Sequence, residues 1–251
     1  MIELKNIAFS YNKEPFLKVN TVFENGSLTA IIGENGSGKT TLLRLINGIE
    51  HPENGCVTID GCDVAKALKC DLAKRLSYFP QSRPIPDMSV FDTVLLGRYP
   101  YNKGGFSVSD EDSTTVEKAL TETGTRDFAH RKMKSLSYGE RQRVYLAMLI
   151  AQDTKNLILD EPVSFMDISA SFGLMDTLKR LCNSGRCVVC VLHDIPLAMR
   201  YAHRIVIMKN GVIYDDGTPD DLFERGSIDT AFDIHLEKYE SNSKAVYLPL
   251  P

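Results

Sequence analysis

No stretch of this 251-residue sequence is apolar over the roughly 20 residues that a bilayer-spanning helix needs. Any role at a membrane is therefore expected to run through a partner. The opening "MIELKNIAFSY" has charges where a secretory signal would need an apolar core, so the expected location is cytosolic. A basic excess is missing too. The 29 Lys and Arg stand against 33 Asp and Glu, for a net charge of −4. A chain built mainly to bind nucleic acid would show the opposite balance. Cysteine is sparse, at six residues. Only Cys187 and Cys190 have a suggestive spacing, and they lie in "CVVCVLHD", a β-branched run that reads as a buried strand. Side chains three apart on a strand point to opposite faces, so the pair reads as small buried hydrophobes. Internal repeats, low-complexity tracts and linkers are also absent. What is present, 43% hydrophobic and 25% charged residues, suits a globular chain with a real core.

Strand-like and helix-like segments alternate, which predicts an α/β fold with a parallel sheet. "LTAIIG" (28–33) is a short strand running into a glycine-rich turn, and "TTLLRLING" is a helix closed by Gly48. "NLILD" (156–160) and "CVVCVLH" (187–193) are further buried strands. Between them Ile168, Phe172, Met175, Leu178 and Leu181 recur at helical spacing, and Gly185 closes that helix. "RIVIMKNGVIYDDG" reads as a hairpin turned by Asn210-Gly211, and Thr218-Pro219 opens a helix. "IELKNIAFSY" and "GCVTIDGCDV" read as strands without helices between them, predicting a small antiparallel sheet beside the parallel one. Residues 84–150 read as a helical insertion, with Val144, Ala147, Met148 and Ala151 as one apolar face of its last helix. The organisation expected is a single domain over 1–251, with a core of about 1–83 and 151–251 and a helical subdomain of about 84–150.

"GENGSGKTT" (33–41) carries the strongest chemical signal. It fits G-x-x-x-x-G-K-[ST] with a strand before and a helix after. Glycines let backbone N–H groups turn inward around phosphate oxygens, Lys39 adds a positive charge, and the Thr40 hydroxyl suits Mg²⁺. "NLILDEP" then ends an apolar strand in Asp160, a carboxylate for the Mg²⁺ end of the sheet, with Glu161 beside the place of an attacking water. Gln81 in "YFPQS" and His193 in "VLHD" each follow a strand, and strand C-termini line the ligand crevice of such folds. Either could reach a γ-phosphate or stay a bland surface residue. Tyr11 could stack on a base or simply pack. "SLSYGERQRV" (135–144) holds a capping box, Ser137 with Glu140, at a helix start that could meet a second anion.

Taken together these motifs resemble the ATP-binding cassette family over essentially residues 1–225. "GENGSGKTT" is similar to its phosphate loop, "LILDEP" to its Mg²⁺ strand, and Gln81 to its glutamine loop. "SFMD" resembles its aspartate loop, with Asp167, and His193 its switch histidine. "LSYGE" resembles its signature sequence and Tyr11 its base-stacking aromatic. The resemblance implies ATP and Mg²⁺ as cofactors and a homodimer packed head to tail around two ATP molecules. Gly33, Glu34, Asn35, Gly36, Ser37, Gly38, Lys39, Thr40, Thr41 and Tyr11 would hold one nucleotide. Ser137, Gly139 and Asp167 would serve the nucleotide of the other chain. Thr40, Gln81 and Asp160 would serve the metal; Glu161, His193, Gln81 and Lys39 would carry the hydrolysis. Two departures stand out. Tyr138 replaces a usual glycine, and Val163 with Phe165-Met166 replaces commoner residues, so altered dimer contacts are expected.

A single cassette with a compact insertion resembles the separate ATPase subunit of an importer. "SVFDTVLLGRYPYNKGGFSVSDED" resembles the subfamily that imports iron–siderophore, haem or cobalamin complexes. This implies transmembrane permease subunits as partners, an extracytoplasmic solute-binding protein acting indirectly, and a peripheral place on the cytoplasmic side of the membrane. The segment 97–107, which contains Arg98, reads as an exposed Gly, Pro and aromatic loop and is expected to face the permease. A soluble scaffold-bound ATPase of the iron–sulfur cluster assembly type is the alternative, separable by which partner co-purifies. Residues 226–251 carry no legible motif.

Overall fold

The structure, a computed structural model, describes residues 1–11, 14–102, 108–241 and 244–250. In chain order its elements are β1 (Ile2–Tyr11), β2 (Glu14–Phe23), β3 (Leu28–Gly33), α1 (Lys39–Ile46), β4 (Asn54–Ile59), β5 (Cys62–Asp63), α2 (Lys69–Ala73) and β6 (Leu76–Phe79). The insertion follows with α3 (Val90–Leu95), α4 (Asp110–Glu122) and α5 (Tyr138–Ala151). Then come β7 (Asn156–Asp160), α6 (Ile168–Asn183), β8 (Cys187–Val191), α7 (Ile195–Tyr201), β9 (Arg204–Lys209) and β10 (Val212–Gly217). The chain closes with α8 (Pro219–Glu224), α9 (Ser227–Phe232), β11 (His235–Ser241) and β12 (Lys244–Leu250).

One ten-stranded sheet has the order β5-β4-β1-β2-β10-β9-β3-β8-β7-β6. From β9 to β6 the strands run parallel, which places the C-terminal ends of β3, β6, β7 and β8 along one edge. Those strands are apolar on both faces because helices cover both. Side chains alternate between two cores. Ala30, Leu157, Leu159 and Cys190 belong to one, and Ile31, Ile158, Val189 and Cys187 to the other. Cys187 and Cys190 thus point to opposite faces, as strand geometry requires. Burial pushes the Cys187 thiol up to about 12.

The antiparallel strands do not form a separate sheet. β2 meets β10 through one parallel pair, Val212 with Lys18, and the Lys18 N–H donates to the Gly211 carbonyl at 2.8 Å. The Asn210-Gly211 turn makes this possible, with φ of 50° and 75° folding the hairpin tightly onto β2. A Cβ on Gly211 would lie 1.7 Å from the Phe16 carbonyl oxygen, so this position admits only glycine. β2 itself was not among the expected strands, although Leu17, Val19, Thr21 and Phe23 alternate inward.

In the insertion, α5 is buried on most of its surface rather than along one face. Gln142, Tyr145, Leu146, Leu149 and Ile150 are buried along with Val144, Ala147 and Ala151, while Met148 is only half-buried. The helix packs against α3, α4 and β6, leaving little of it to solvent. Ile168 also departs from expectation. It is 75% exposed, because the first turn of α6 projects past the core that Met175, Leu178 and Leu181 enter. Arg98 is a third correction. It is 7% exposed. Its Nε donates to Asp112 Oδ1 at 2.8 Å and its Nη1 to the Ala151 carbonyl at 3.0 Å. Segment 103–107 lies outside the described residues.

The C-terminal hairpin β11–β12 is anchored by Tyr247, which is 3% exposed and donates its hydroxyl to Asp220. Lys238 pairs with the same carboxylate.

Candidate active site

β3 ends at Gly33, where a Cβ would lie 2.3 Å from the Met208 carbonyl oxygen. The chain then turns through Gly36 (φ 82°) and Gly38 (φ 101°), a left-handed geometry that glycine adopts without strain. The Ser37 N–H donates to the Glu34 carbonyl at 3.2 Å, and the Gly211 N–H donates to the Ser37 carbonyl at 3.1 Å. The hairpin turn thus clamps the loop from behind. α1 starts at Lys39 with no side-chain cap and no acidic residue in its first turn. Its first N–H groups and its dipole are therefore free to meet an anion. Glu34, Asn35 and Gly36 form the exposed lip, and Ser37, Gly38, Lys39 and Thr41 are buried beneath it.

Lys39 is 6% exposed, and its Nζ donates to the Gly33 and Glu34 carbonyls at 2.7 and 2.8 Å. Burial lowers its pKa, against the pull of the Glu161 and Asp160 charges. Asp160, at the end of β7, is 1% exposed, and its Oδ1 has no hydrogen-bond partner. Burial pushes its carboxyl up, opposed by a hydrogen bond from Thr40 and reinforced by Glu161. A buried carboxylate oxygen without a partner, beside a threonine hydroxyl, fits a hard divalent cation. Among the described residues no group of three His, Cys, Asp or Glu could hold a metal alone.

Two predicted residues, His193 and Gln81, converge on Glu161, which sits just past β7 with φ 51°. His193 Nε2 donates to its Oε1 at 2.6 Å. Gln81 Nε2 donates to its Oε2 at 2.9 Å, and the Ser164 hydroxyl to the same oxygen at 3.1 Å. Burial raises the carboxyl, but these bonds and the His193 charge outweigh it and hold Glu161 below the usual value. Ser164 was missed from the sequence. Its signal was its place in "DEPVS", three residues after the carboxylate it serves.

Tyr11 ends β1 and is 39% exposed, with its ring 4.8 Å from that of Phe9 and 5.3 Å from that of Phe16. Its hydroxyl lies 3.3 Å from the Thr41 hydroxyl, which places an aromatic platform beside the phosphate loop.

Ser137, Gly139 and Asp167 form a second surface. Ser137 caps α5, with its hydroxyl accepting from the Glu140 N–H and its own N–H donating to Glu140 Oε2 at 2.7 Å. Asp167 caps α6 by accepting from the Ala170 N–H at 2.8 Å. A Cβ on Gly139 would lie 3.8 Å from the Ala170 Cβ, so the two helix starts adjoin. The Tyr138 and Phe165 rings meet edge to face at 6.3 Å, and Phe165 is 90% exposed. Among the described residues no hydrogen bond joins the Ser137 segment to the phosphate loop.

The ABC transporter family model matches residues 16–164. The probable siderophore transport system ATP-binding protein YusV of Bacillus subtilis is 37% identical over 88% of this chain and 81% of its own length. An inward-facing metal-chelate type ABC transporter shares the fold, with a TM-score of 0.86 over all of this chain and 97% of that one, at 24% identity. A dimeric bacterial ABC transporter cassette superposes with a TM-score of 0.76 over 87% of this chain and 99% of that one, at 29% identity. With both the phosphate cradle and the Glu161 cluster in place, the chain belongs to the ABC transporter family as an ATP-binding cassette.

Proposed function

We propose that this chain is the ATP-hydrolysing subunit of an ABC importer, closing as a head-to-tail homodimer on two ATP molecules to drive a membrane permease. The observation that carries the reading is the Glu161 carboxylate, held ionised by His193, Gln81 and Ser164 at the edge of the Lys39 cradle. The siderophore transport relative favours an iron–siderophore, haem or cobalamin complex as cargo, and favours the importer over an iron–sulfur scaffold ATPase. Residues 1–251 act as one cassette, with residues 84–150 as its helical subdomain. The chain sits peripherally on the cytoplasmic face, and the solute-binding protein acts across the membrane.

The phosphate-loop N–H groups and Lys39 hold the phosphates, and Tyr11 carries the base. Thr40 and Asp160 would hold Mg²⁺, with Gln81 nearby, and the bound ion would supply charge stabilisation for phosphoryl transfer. Glu161 orients the attacking water and takes its proton, and His193 fixes the Glu161 carboxylate and reaches the γ-phosphate. Ser137, Gly139 and Asp167 complete the site of the opposite chain. The groove lined by Met88, Leu95, Leu96 and Tyr99 is the permease-facing surface.

Co-expression with the membrane and soluble proteins encoded beside it tests the reading. A complex with a membrane permease, whose addition stimulates ATP hydrolysis, is the expected result. Capture of a soluble scaffold pair instead would overturn the importer assignment.

A further inference from the structure

Arg83 stands two residues beyond Gln81. Its guanidinium carbon lies 3.3 Å from the centre of the Phe79 ring, at the end of β6, and 4.4 Å from that of Tyr145, on α5. Its Nη2 donates to Gln142 Oε1 at 2.6 Å. Gln142 is 4% exposed, and among the described residues its side chain has no other hydrogen-bond partner. The Tyr145 hydroxyl adds a second tie, donating to the Pro84 carbonyl at 3.0 Å. Arg83 Nη1 is out of solvent without an acceptor, so the guanidinium is held by its stacking and by one bond. Burial lowers its pKa to about 10, which leaves it charged at neutral pH. The same α5 begins at the Ser137 cap, and Gln81 and Tyr138 line one groove of about 380 Å³ with Arg83.

We infer that Arg83, through Gln142, is a positioning residue that locks the Gln81 segment to α5, so that the segment contacting Glu161 and the segment offered to the other chain's nucleotide move as one body. A planar guanidinium suits this task. It stacks between two rings and keeps a directed donor, which the point charge of lysine does not combine. Because Arg83 and Gln142 share one bond, losing either member breaks it, so the two act as one unit and their losses do not add.

The inference rests on the dimer reading above, and the experiment separates the two. In a Glu161→Gln background, dimerisation is measured by sedimentation against MgATP, and ATP binding to the monomer by calorimetry. Arg83→Ala and Gln142→Leu are each expected to weaken MgATP-driven dimerisation on the order of tenfold, the scale of a typical coupling between sites. Monomer ATP binding should stay within about twofold, since neither residue touches the phosphate loop. The double variant should lose no more than the worse single variant. If Arg83→Ala misfolds, Gln142→Leu gives the same readout alone. Folded variants that dimerise like their background, or losses that add in the double variant, overturn the tie. A Glu161→Gln background that never dimerises with MgATP overturns the dimer reading, and the tie with it.

Discussion

His193 and Glu161 share a hydrogen bond of 2.6 Å between Nε2 and Oε1, while the other Glu161 oxygen takes the Gln81 donor at 2.9 Å. The carboxylate is thereby held from both sides at the end of the sheet. Replacing Glu161 with Gln keeps the shape and removes the base. ATP should still bind, hydrolysis should fall by about 10²–10⁴-fold, and the MgATP dimer should persist. Sizing the variant with and without MgATP, alongside its turnover, checks this. Near-normal hydrolysis would remove Glu161 from the role.

Gly139 gives a prediction of a different kind. It lies within α5 at negative φ, and a Cβ there meets no atom of this chain closer than 3.8 Å. Glycine in a helix costs about 1 kcal/mol relative to alanine, so its presence is unexplained by the monomer. Gly139→Ala should therefore fold at least as stably as wild type, yet dimerise poorly with MgATP. Denaturant midpoints and sedimentation read the two effects separately. A variant that is as stable and dimerises normally would show that no phosphate approaches here.

The Arg98–Asp112 pair is a matter of stability rather than coupling. Both side chains are about 8% exposed. Leaving either charge alone in that setting costs about 3–5 kcal/mol, so Arg98→Glu and Asp112→Asn should both lower the urea midpoint sharply. The Arg98 hydrogen bond, then those from Ser109, holds the Asp112 carboxyl below its ordinary 3.8. A depressed folded pKa adds stability above the unfolded value and loses it as pH falls through the folded one. Wild type should thus lose stability more steeply than Asp112→Asn below about pH 4. Parallel acid titrations of the two would contradict the pairing.

Mixed dimers address the two anion surfaces directly. Lys39→Ala removes the cradle charge, and Ser137→Arg blocks the helix start. Each homodimer then carries two broken sites. In the mixed dimer the Ser137→Arg chain offers an intact Lys39 and the Lys39→Ala chain an intact Ser137, which together build one whole site. Mixing should restore MgATP-dependent dimerisation. A mixture that never dimerises, under conditions where wild type does, would return the Ser137 segment to a plain capped helix.

The placing of the proposed site residues at one end of the sheet was legible because each sits by a short motif next to a strand end. Each of Lys39, Gln81, Asp160, Glu161 and His193 closes or follows a strand, and parallel strands bring their ends to one edge. Arg98 was not legible, since its partner Asp112 is 14 residues away and its burial depends on how three segments pack. The near-complete burial of α5 failed for the same reason. A helix enclosed on several sides needs no single apolar stripe, and Gln142 and Tyr145 inside it look like surface residues in sequence. The β2–β10 junction rests on a turn about 200 residues from the strand it meets, which no periodicity reports.

That junction has a mechanical consequence. The parallel strands are joined to their neighbours by four or five register pairs each, whereas β2 and β10 share one. Backbone pairing is therefore thinnest at this joint, and the shared core beneath it carries more of the connection between the two halves. Tyr11 lies on one side of it and the Lys39 cradle on the other. On the proposed reading, a nucleotide reaching from Tyr11 to the Lys39 loop would span the joint like a stitch across a fold in cloth, and any flexing of the halves would change how well it fits.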